Sequence, residues 1–284
     1  MERQGTLHVD TRPPLDDGSS RRPRVLVTND DGIESTGIRE LARTLAAHYD
    51  VIVVAPRENM SGTGTGIGTS VDQGIDIERR DFDGIEAYAV SGPPGLAVMS
   101  AALGAFGDRP ELVVSGVNAG LNTGHSIIHS GTVGAALTAH TFGSRGVAIS
   151  LAPSEPWYWQ TAMPFALGAV EWTLVNNHQY ALNVNIPAVA PEDVKGVRWA
   201  PLDEFGHFNV ATADLGAATL EFSVTDRSSG LDPECDTALC LDGYVTLTLL
   251  ETVEAAPQPD VPADHVVDAL RPMGRGRDGR ALWR

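Results

Sequence analysis

Asn29, Asp30, Asp31 and Gly32 follow directly on Val25–Thr28, an apolar run that predicts a short buried strand. Two adjacent carboxylates at the end of such a strand repel one another unless positive charge lies close by. A divalent cation between them removes the repulsion. Oxygen donors from Asp, Asn and Ser suit a hard ion such as Mg²⁺ or Mn²⁺, which keeps several of its waters. The other reading is an ordinary turn into a helix, with one Asp as the cap. These four residues alone leave both open.

Further clusters of the same chemical type come after other apolar runs. Arg57, Glu58, Asn59, Ser61 and Gly62 come after Val51–Pro56, and Asn118, Gly120 and Asn122 come after Glu111–Gly116. Downstream, His129–Leu137 reads HSGTVGAAL. Ser130, Gly131 and Thr132 immediately precede or begin a predicted helix, so their N–H groups and hydroxyls form an anion site suited to phosphate. An ordinary N-cap would use the same residues. Metal-type oxygens and an anion site in one cleft point to metal-assisted hydrolysis of a phosphate ester. His125, His129 and His140 lie nearby and are left out of the metal set, because a single His is more often a hydrogen-bonded surface or core group than a ligand.

Other nucleotide chemistries fail on the residues. Ser61–Gly68 (SGTGTGIG) is rich in glycine but no Lys-Ser/Thr pair comes after it, so it is not a phosphate-cradling Walker loop. Its spacing is not G-x-G-x-x-G, and no glycine fingerprint comes after the first strand, which argues against a dinucleotide site. Neither VSGVN nor VSGPP is the G-x-S-x-G of a serine hydrolase.

The elements that must position these groups alternate. Ile38, Leu41, Ala42 and Leu45 fall on one helical face. Val51–Pro56 is a β-branched run expected of a strand buried on both sides. A strand is expected over 84–91, a helix over Pro94–Phe106, a strand over Glu111–Gly116, a helix near Thr132–Phe142, a strand over Gly146–Leu151, a helix over 158–176 and a strand over Ala181–Pro187. This order predicts an α/β fold, a Rossmann-like, doubly wound and mostly parallel sheet. Ligands of such sheets bind beyond the carboxyl ends of the strands, where these clusters would converge. Past Pro187, strand-like pieces (VRWAPL, ATLEFSVTD, GYVTLTLL) recur without comparable helices, which predicts a smaller β-rich extension. A short helix is expected at Asp264–Leu270. The organisation is thus a disordered lead-in over 1–22, a catalytic domain over 23–190, and a β-rich extension and tail over 191–284.

Composition narrows the partners. The 284 residues carry 20 basic and 37 acidic side chains, a formal charge of −17, which disfavours a nucleic-acid polymer because phosphate neutralisation needs a basic face. A small phosphate ester is still compatible, since a local site binds it. Lys195 is the sole lysine and lies far from every cluster. Cys235 and Cys240 are too few for a disulfide framework, and C-x4-C without a His cluster is weak for zinc; two reduced thiols in a cytoplasmic protein is the expectation. No apolar run reaches membrane-spanning length, and residues 1–22 lack the apolar stretch of a signal peptide. The final RPMGRGRDGRALWR is expected to be a mobile or partner-docked tail.

Together the motifs VLVTNDDGIESTGI, VIVVAPRENMSGTG, PELVVSGVNAGLNTG and HSGTVGAAL followed by GVAISL resemble the SurE (survival protein E) phosphatases, metal-dependent 5′/3′-nucleotidases. DTALCLDGYVTLTLL is a weaker match. The resemblance runs over roughly residues 24–250. It implies hydrolysis of nucleoside monophosphates, a divalent-metal site built from Asp30, Asp31, Ser61 and Asn118, and phosphate contacts from Ser130, Gly131 and Thr132, with Asn29 and Asn122 nearby. Asp30 and Asp31 would also be the catalytic residues, as ligands, base or nucleophile. A homodimer or homotetramer through the C-terminal part is implied as well. The chain departs from the family pattern at Ser91–Val98 (SGPPGLAV), which lacks an Asp, at His125, Ser126 and His129, where acidic residues and a Tyr are usual, and near Thr138, where a Glu is usual. These departures motivate two alternatives: the same chemistry on a specialised sugar-phosphate or biosynthetic ester, and a nucleotide-binding protein without turnover.

Overall fold

The computed structural model describes residues 21–68, 74–176, 180–206, 208–215, 220–226 and 230–253. The chain divides into two compact units, Met1–Thr252 and Val253–Arg284, and every described strand and helix belongs to the first. The helix expected at Asp264–Leu270, the tail and nearly all of the lead-in lie outside the described residues.

In chain order the elements are β1 (Arg24–Thr28), α1 (Thr36–Ala46), β2 (Asp50–Pro56), β3 (Ile77–Arg80), β4 (Glu86–Val90), α2 (Pro94–Ala102), β5 (Leu112–Ala119), α3 (Gly131–Thr141), β6 (Arg145–Leu151), α4 (Trp159–Val175), β7 (Tyr180–Ile186), β8 (Gly196–Trp199), β9 (Phe208–Leu215), β10 (Leu220–Asp226), α5 (Asp236–Leu241) and β11 (Tyr244–Glu251), with a 3₁₀ turn at His125–His129 ahead of α3. Nine strands form one sheet in the order β3-β4-β2-β1-β5-β6-β7-β11-β8. Strands β4 to β7 in that order are parallel, β3 and β11 join antiparallel, and β8 runs parallel to β11. This is the expected doubly wound α/β fold. The β-rich C-terminal stretch is divided: β11 and β8 continue the main sheet beyond β7, while β9 and β10 pair with each other in a two-stranded sheet.

Strand alternation sets the two layers. Val25 and Val27 pack with Ile38, Leu41 and Leu45 of α1 and with Ala162, Ala166 and Val170 of α4. Leu26, between them, faces the other way, with Ala97 and Val98 of α2 and Ala135 and Ala139 of α3. Both faces of β1 are therefore covered, which is why its sequence is a continuous apolar run rather than an alternating one. The chain winds outward from β1 through β2 to β4 on one side and from β5 through β6 to β7 on the other. The reversal lies between β1 and β5, and a crevice opens at the carboxyl ends of strands at such a point.

Several boundaries differ from expectation for visible reasons. The second helix ends at Ala102 rather than Phe106 because Gly104 takes a φ of 88° and turns the chain. β5 runs on to Ala119, three residues past the expected end, so Asn118 lies on the strand itself. β3 (IERR) is an addition to the expected elements: it is a largely exposed edge strand whose charges hide the strand signal. The short α5, six residues long, is a second addition.

Candidate active site

Asn29, Asp30 and Asp31 leave the end of β1, at the strand-order reversal. Asn29 is fully buried. Its amide nitrogen donates to the Gly32 carbonyl at 2.9 Å and to Ser35 Oγ at 2.8 Å, which ties the turn to the start of α1. Ser35 precedes that helix but does not cap it with its side chain. Asn29 Oδ1 is buried and accepts no hydrogen bond, and the buried hydroxyls of Thr28 and Ser115 on adjacent strands are likewise unpaired.

Asp30 is also buried, 3% exposed, and reaches the N-terminus of α3. The Thr132 hydroxyl donates to its Oδ1 at 2.5 Å and the Thr132 N–H to its Oδ2 at 3.0 Å. The fit requires glycine at 131, since a Cβ there would stand 2.7 Å from Asp30 Cβ and 2.8 Å from Oδ2. Asp31 turns toward β5, where the Ala119 N–H donates to its Oδ2 at 3.0 Å. Burial holds the Asp31 carboxyl above its ordinary range; the Ala119 N–H pulls it back, and the Asp30 charge raises it further. The two neighbouring carboxylates thus look to two different segments, Asp31 to the end of β5 and Asp30 to the start of α3.

The glycine-rich loop closes over the same place. The Met60 N–H donates to the Asp30 carbonyl at 2.7 Å, and the Gly64 N–H to the His129 carbonyl at 3.1 Å. Ser61, next to Met60, is exposed, with its N–H on Asn59 Oδ1 at 2.9 Å. The side-chain amide of Asn118 donates to the Gly120 carbonyl at 2.8 Å, leaving its oxygen as the donor atom for a ligand. Ser130 caps α3, its Oγ accepting from the Val133 N–H at 3.1 Å.

Asn122 is held from β6 and β7. Its N–H donates to Asn185 Oδ1, its amide nitrogen to Ser150 Oγ, and its carbonyl accepts from the side chains of both Asn183 and Asn185, all within 2.8–2.9 Å. Sequence reasoning missed Asn183, Asn185 and Ser150. The signal was present in ALNVNIP: two Asn at alternate positions of an apolar strand point to one face and need partners there.

The segments that carry the expected residues meet at these strand ends through Asp30, Asp31 and the glycine-rich loop, with one difference of role. Thr132, expected on phosphate, has both its donors on Asp30. Among the described residues no three His, Cys, Asp or Glu side chains gather into a metal-holding group. A cation here would rest on Asp30 and Asp31 with neutral oxygens from Asn118 and Ser61, a hard donor set that fits Mg²⁺ or Mn²⁺ with retained waters. The unpaired Asn29 Oδ1 and the raised Asp31 carboxyl are compatible with positive charge at this point. His125 and His129 are exposed on the turn before α3, and Cys235 and Cys240 are buried free thiols.

Comparison with known proteins gives consistent matches. The family model described as survival protein SurE matches residues 25–206. A 5′-nucleotidase SurE from Aeromonas hydrophila is 37% identical over 178 residues, covering 62% of this chain and 70% of the relative. One from Desulfitobacterium hafniense is 33% identical over 227 residues, 79% of this chain and 89% of the relative. Among solved structures, the SurE protein of Aquifex aeolicus superposes with a TM-score of 0.69 at 25% identity, over 88% of this chain and 99% of that one.

Proposed function

The chain belongs to the survival protein SurE family, and from that premise we propose that it hydrolyses nucleoside monophosphates with a divalent cation, Mg²⁺ or Mn²⁺. It is a phosphoric monoester hydrolase of the 5′-nucleotidase type, the activity its relatives' names carry. The observation that carries the reading is the convergence of Asp30 and Asp31, at the reversal between β1 and β5, with the segments that hold Asn118 and Thr132.

Asp30, Asp31, Asn118 and Ser61 would hold the cation. When bound, such a cation polarises the phosphoryl group and lowers the pKa of a coordinated water. The chain's own groups do the rest. Thr132 fixes the Asp30 carboxylate from two directions, leaving further lone pairs on both oxygens. The Thr132 and Val133 N–H groups of the first turn of α3 are taken by Asp30 and the Ser130 cap. The Gly131 N–H is not engaged by these bonds and, with the positive end of the helix, is the donor we assign to a phosphate oxygen. Ser130 and the Asn122 side-chain oxygen complete the phosphate side, and Asn29 braces the turn beneath.

A second reading, a specialised phosphate ester as substrate, is favoured by His125, Ile128 and His129, which stand exposed on the turn into the phosphate loop. Phosphate release from a panel of nucleoside monophosphates, sugar phosphates and other esters, with and without Mn²⁺ or Mg²⁺, decides. Metal-dependent release that is fastest from nucleotides supports the first reading; faster release from another ester supports the second. No metal-dependent release from any ester contradicts both.

Among the described residues no helix is long and apolar enough to cross a membrane. We assign the protein to the cytoplasm and to a homodimer or homotetramer. Support for the assembly comes from β8, at one edge of the sheet, where Val197 and Trp199 are 42% and 55% exposed.

A further inference from the structure

Asp236 is a fully buried carboxylate that the proposed reaction does not use. Its charge is met by backbone N–H groups. The Gly124 N–H donates to Oδ2 at 2.9 Å, and the N–H groups of Asp203 and Thr237 donate to Oδ1 at 2.9 and 2.8 Å. Burial pushes this carboxyl's pKa up, and the three N–H groups pull it back.

The donors come from three segments. Thr237 belongs to α5 itself, Asp203 to the loop after β8, and Gly124 to the connection between Asn122 and Ser130. From Gly124 onward the last two segments are laced together. The His125 N–H donates to the Asp203 carbonyl at 3.1 Å, and the Ser126 N–H to the Phe205 carbonyl at 3.0 Å. The Ser126 hydroxyl closes back on the Thr123 carbonyl at 3.0 Å. Contact here is backbone on backbone: a Cβ on Gly124 would lie 2.3 Å from Gly206 N, and one on Gly206 would lie 2.3 Å from the Thr123 carbonyl oxygen. Two loops this close have one register, and Asp236 binds a donor from each.

We propose that Asp236 is a positioning residue for the phosphatase reaction, fixing the Gly124 backbone and thereby the span that sets Asn118–Asn122 against Ser130–Thr132. The inference rests on the phosphatase reading. Asp236→Asn tests it at one bond. An Asn keeps most bonds with its oxygen toward Asp203 and Thr237, which places its NH₂ against the Gly124 N–H, donor facing donor. The link to the site span is then lost while the other two persist.

The experiment compares wild type and Asp236→Asn by steady-state kinetics with a nucleoside monophosphate and Mn²⁺, and by amide hydrogen exchange without substrate or metal. Expected are a fall in kcat of about tenfold or more with a smaller change in KM, and faster exchange confined to residues 120–130. Unchanged kcat with unchanged exchange overturns the proposal. So does faster exchange spread equally over β1 and α1 with kcat per folded molecule unchanged, which would make Asp236 a purely structural group. Should Asp236→Asn not fold, Ser126→Ala loosens the same span from within by removing the bond that closes the Gly124 turn on the Thr123 carbonyl, with a smaller effect in the same direction expected and no effect overturning the idea. Because exchange is read without turnover, a wild type that releases no phosphate would sink the functional reading while the exchange pattern still reports on the span.

Discussion

Thr132 gives both of its donors to Asp30, the hydroxyl to one carboxylate oxygen at 2.5 Å and the N–H to the other at 3.0 Å. This pair joins the carboxylate at the end of β1 to the N-terminus of α3. Thr132→Val keeps the shape and the N–H but removes the hydroxyl. A hydrogen bond to a charged group is worth about 1.5–3 kcal/mol, so kcat/KM is expected to fall roughly ten- to a hundredfold. Manganese affinity, measured by calorimetry, should weaken in parallel because Asp30 loses its orientation. Thr132→Ser should retain most of both. Unaltered kinetics and affinity in the Val variant would make the contact incidental.

Gly131→Ala adds a methyl group within 3 Å of Asp30. The Thr63 hydroxyl lies 3.0 Å from the same point, so the shift falls on Asp30, the helix start and the glycine-rich loop, and the expected outcome is a severe loss of kcat/KM with the global fold retained. Circular dichroism and thermal melting check the second half of that statement. A fully active Gly131→Ala enzyme would mean that Asp30 need not stay where it is.

How much of this is legible in the sequence depends on the kind of signal. Val25–Thr28 and Val51–Pro56 are buried on both faces, so their apolar runs mark strands plainly, and the polar residues after them mark the crevice. Ile38, Leu41, Ala42 and Leu45 are all fully buried, as their spacing requires. What the sequence hides are partnerships across the sheet. Nothing local to Asp30 says that Thr132, 102 positions away, will hold it. Nor does the DTALCL segment announce that Asp236 reaches Gly124. Asn183 and Asn185 carry a visible anomaly, polar groups in an apolar strand, but only the fold shows that they clasp Asn122. β3 is hidden because edge position, not burial, decides its composition.

His140 on α3 supplies a pH dependence of stability. Its Nε2 is buried without a hydrogen-bond partner. Burial lowers the imidazole pKa below 6.5; a backbone hydrogen bond at Tyr180 opposes this, and the Arg145 charge adds to it. The unfolded chain therefore takes up the proton first as pH falls. Stability is fully present above 6.5 and is lost as pH falls through the folded-state value. Urea unfolding at pH 7 and pH 5 should show wild type losing more stability than His140→Gln. Equal losses would mean that His140 does not set the dependence.

Trp199 and Val197 on edge strand β8 leave apolar area in water beside Trp172, whose ring centroid lies 5.6 Å from that of Trp199. Aromatic groups in such positions are frequent interface anchors. Light scattering at micromolar concentration should give a dimer or tetramer for wild type and a smaller species for Trp199→Asp. A monomeric wild type, or an assembly indifferent to the substitution, would count against a contact through this edge.

The most direct measurement of the central claim is a Mn²⁺ titration of wild type and Asp31→Asn, read both as phosphate release from a nucleoside monophosphate and as heat of metal binding. An Asn at 31 can keep the hydrogen bond from the Ala119 N–H through its oxygen while removing one of two crowded negative charges. Metal affinity and kcat/KM should both fall by at least the ~10–100-fold typical of disturbing a group that supports a metal ligand. In metal-free protein the same substitution should leave the melting temperature unchanged or raise it, because the repulsion between buried Asp30 and half-buried Asp31 has been relieved. Activity that tracks metal occupancy in wild type and is lost in the variant is the predicted result. An Asp31→Asn enzyme with wild-type metal affinity and near-full phosphate release would contradict the assignment of the carboxylate pair to a catalytic cation.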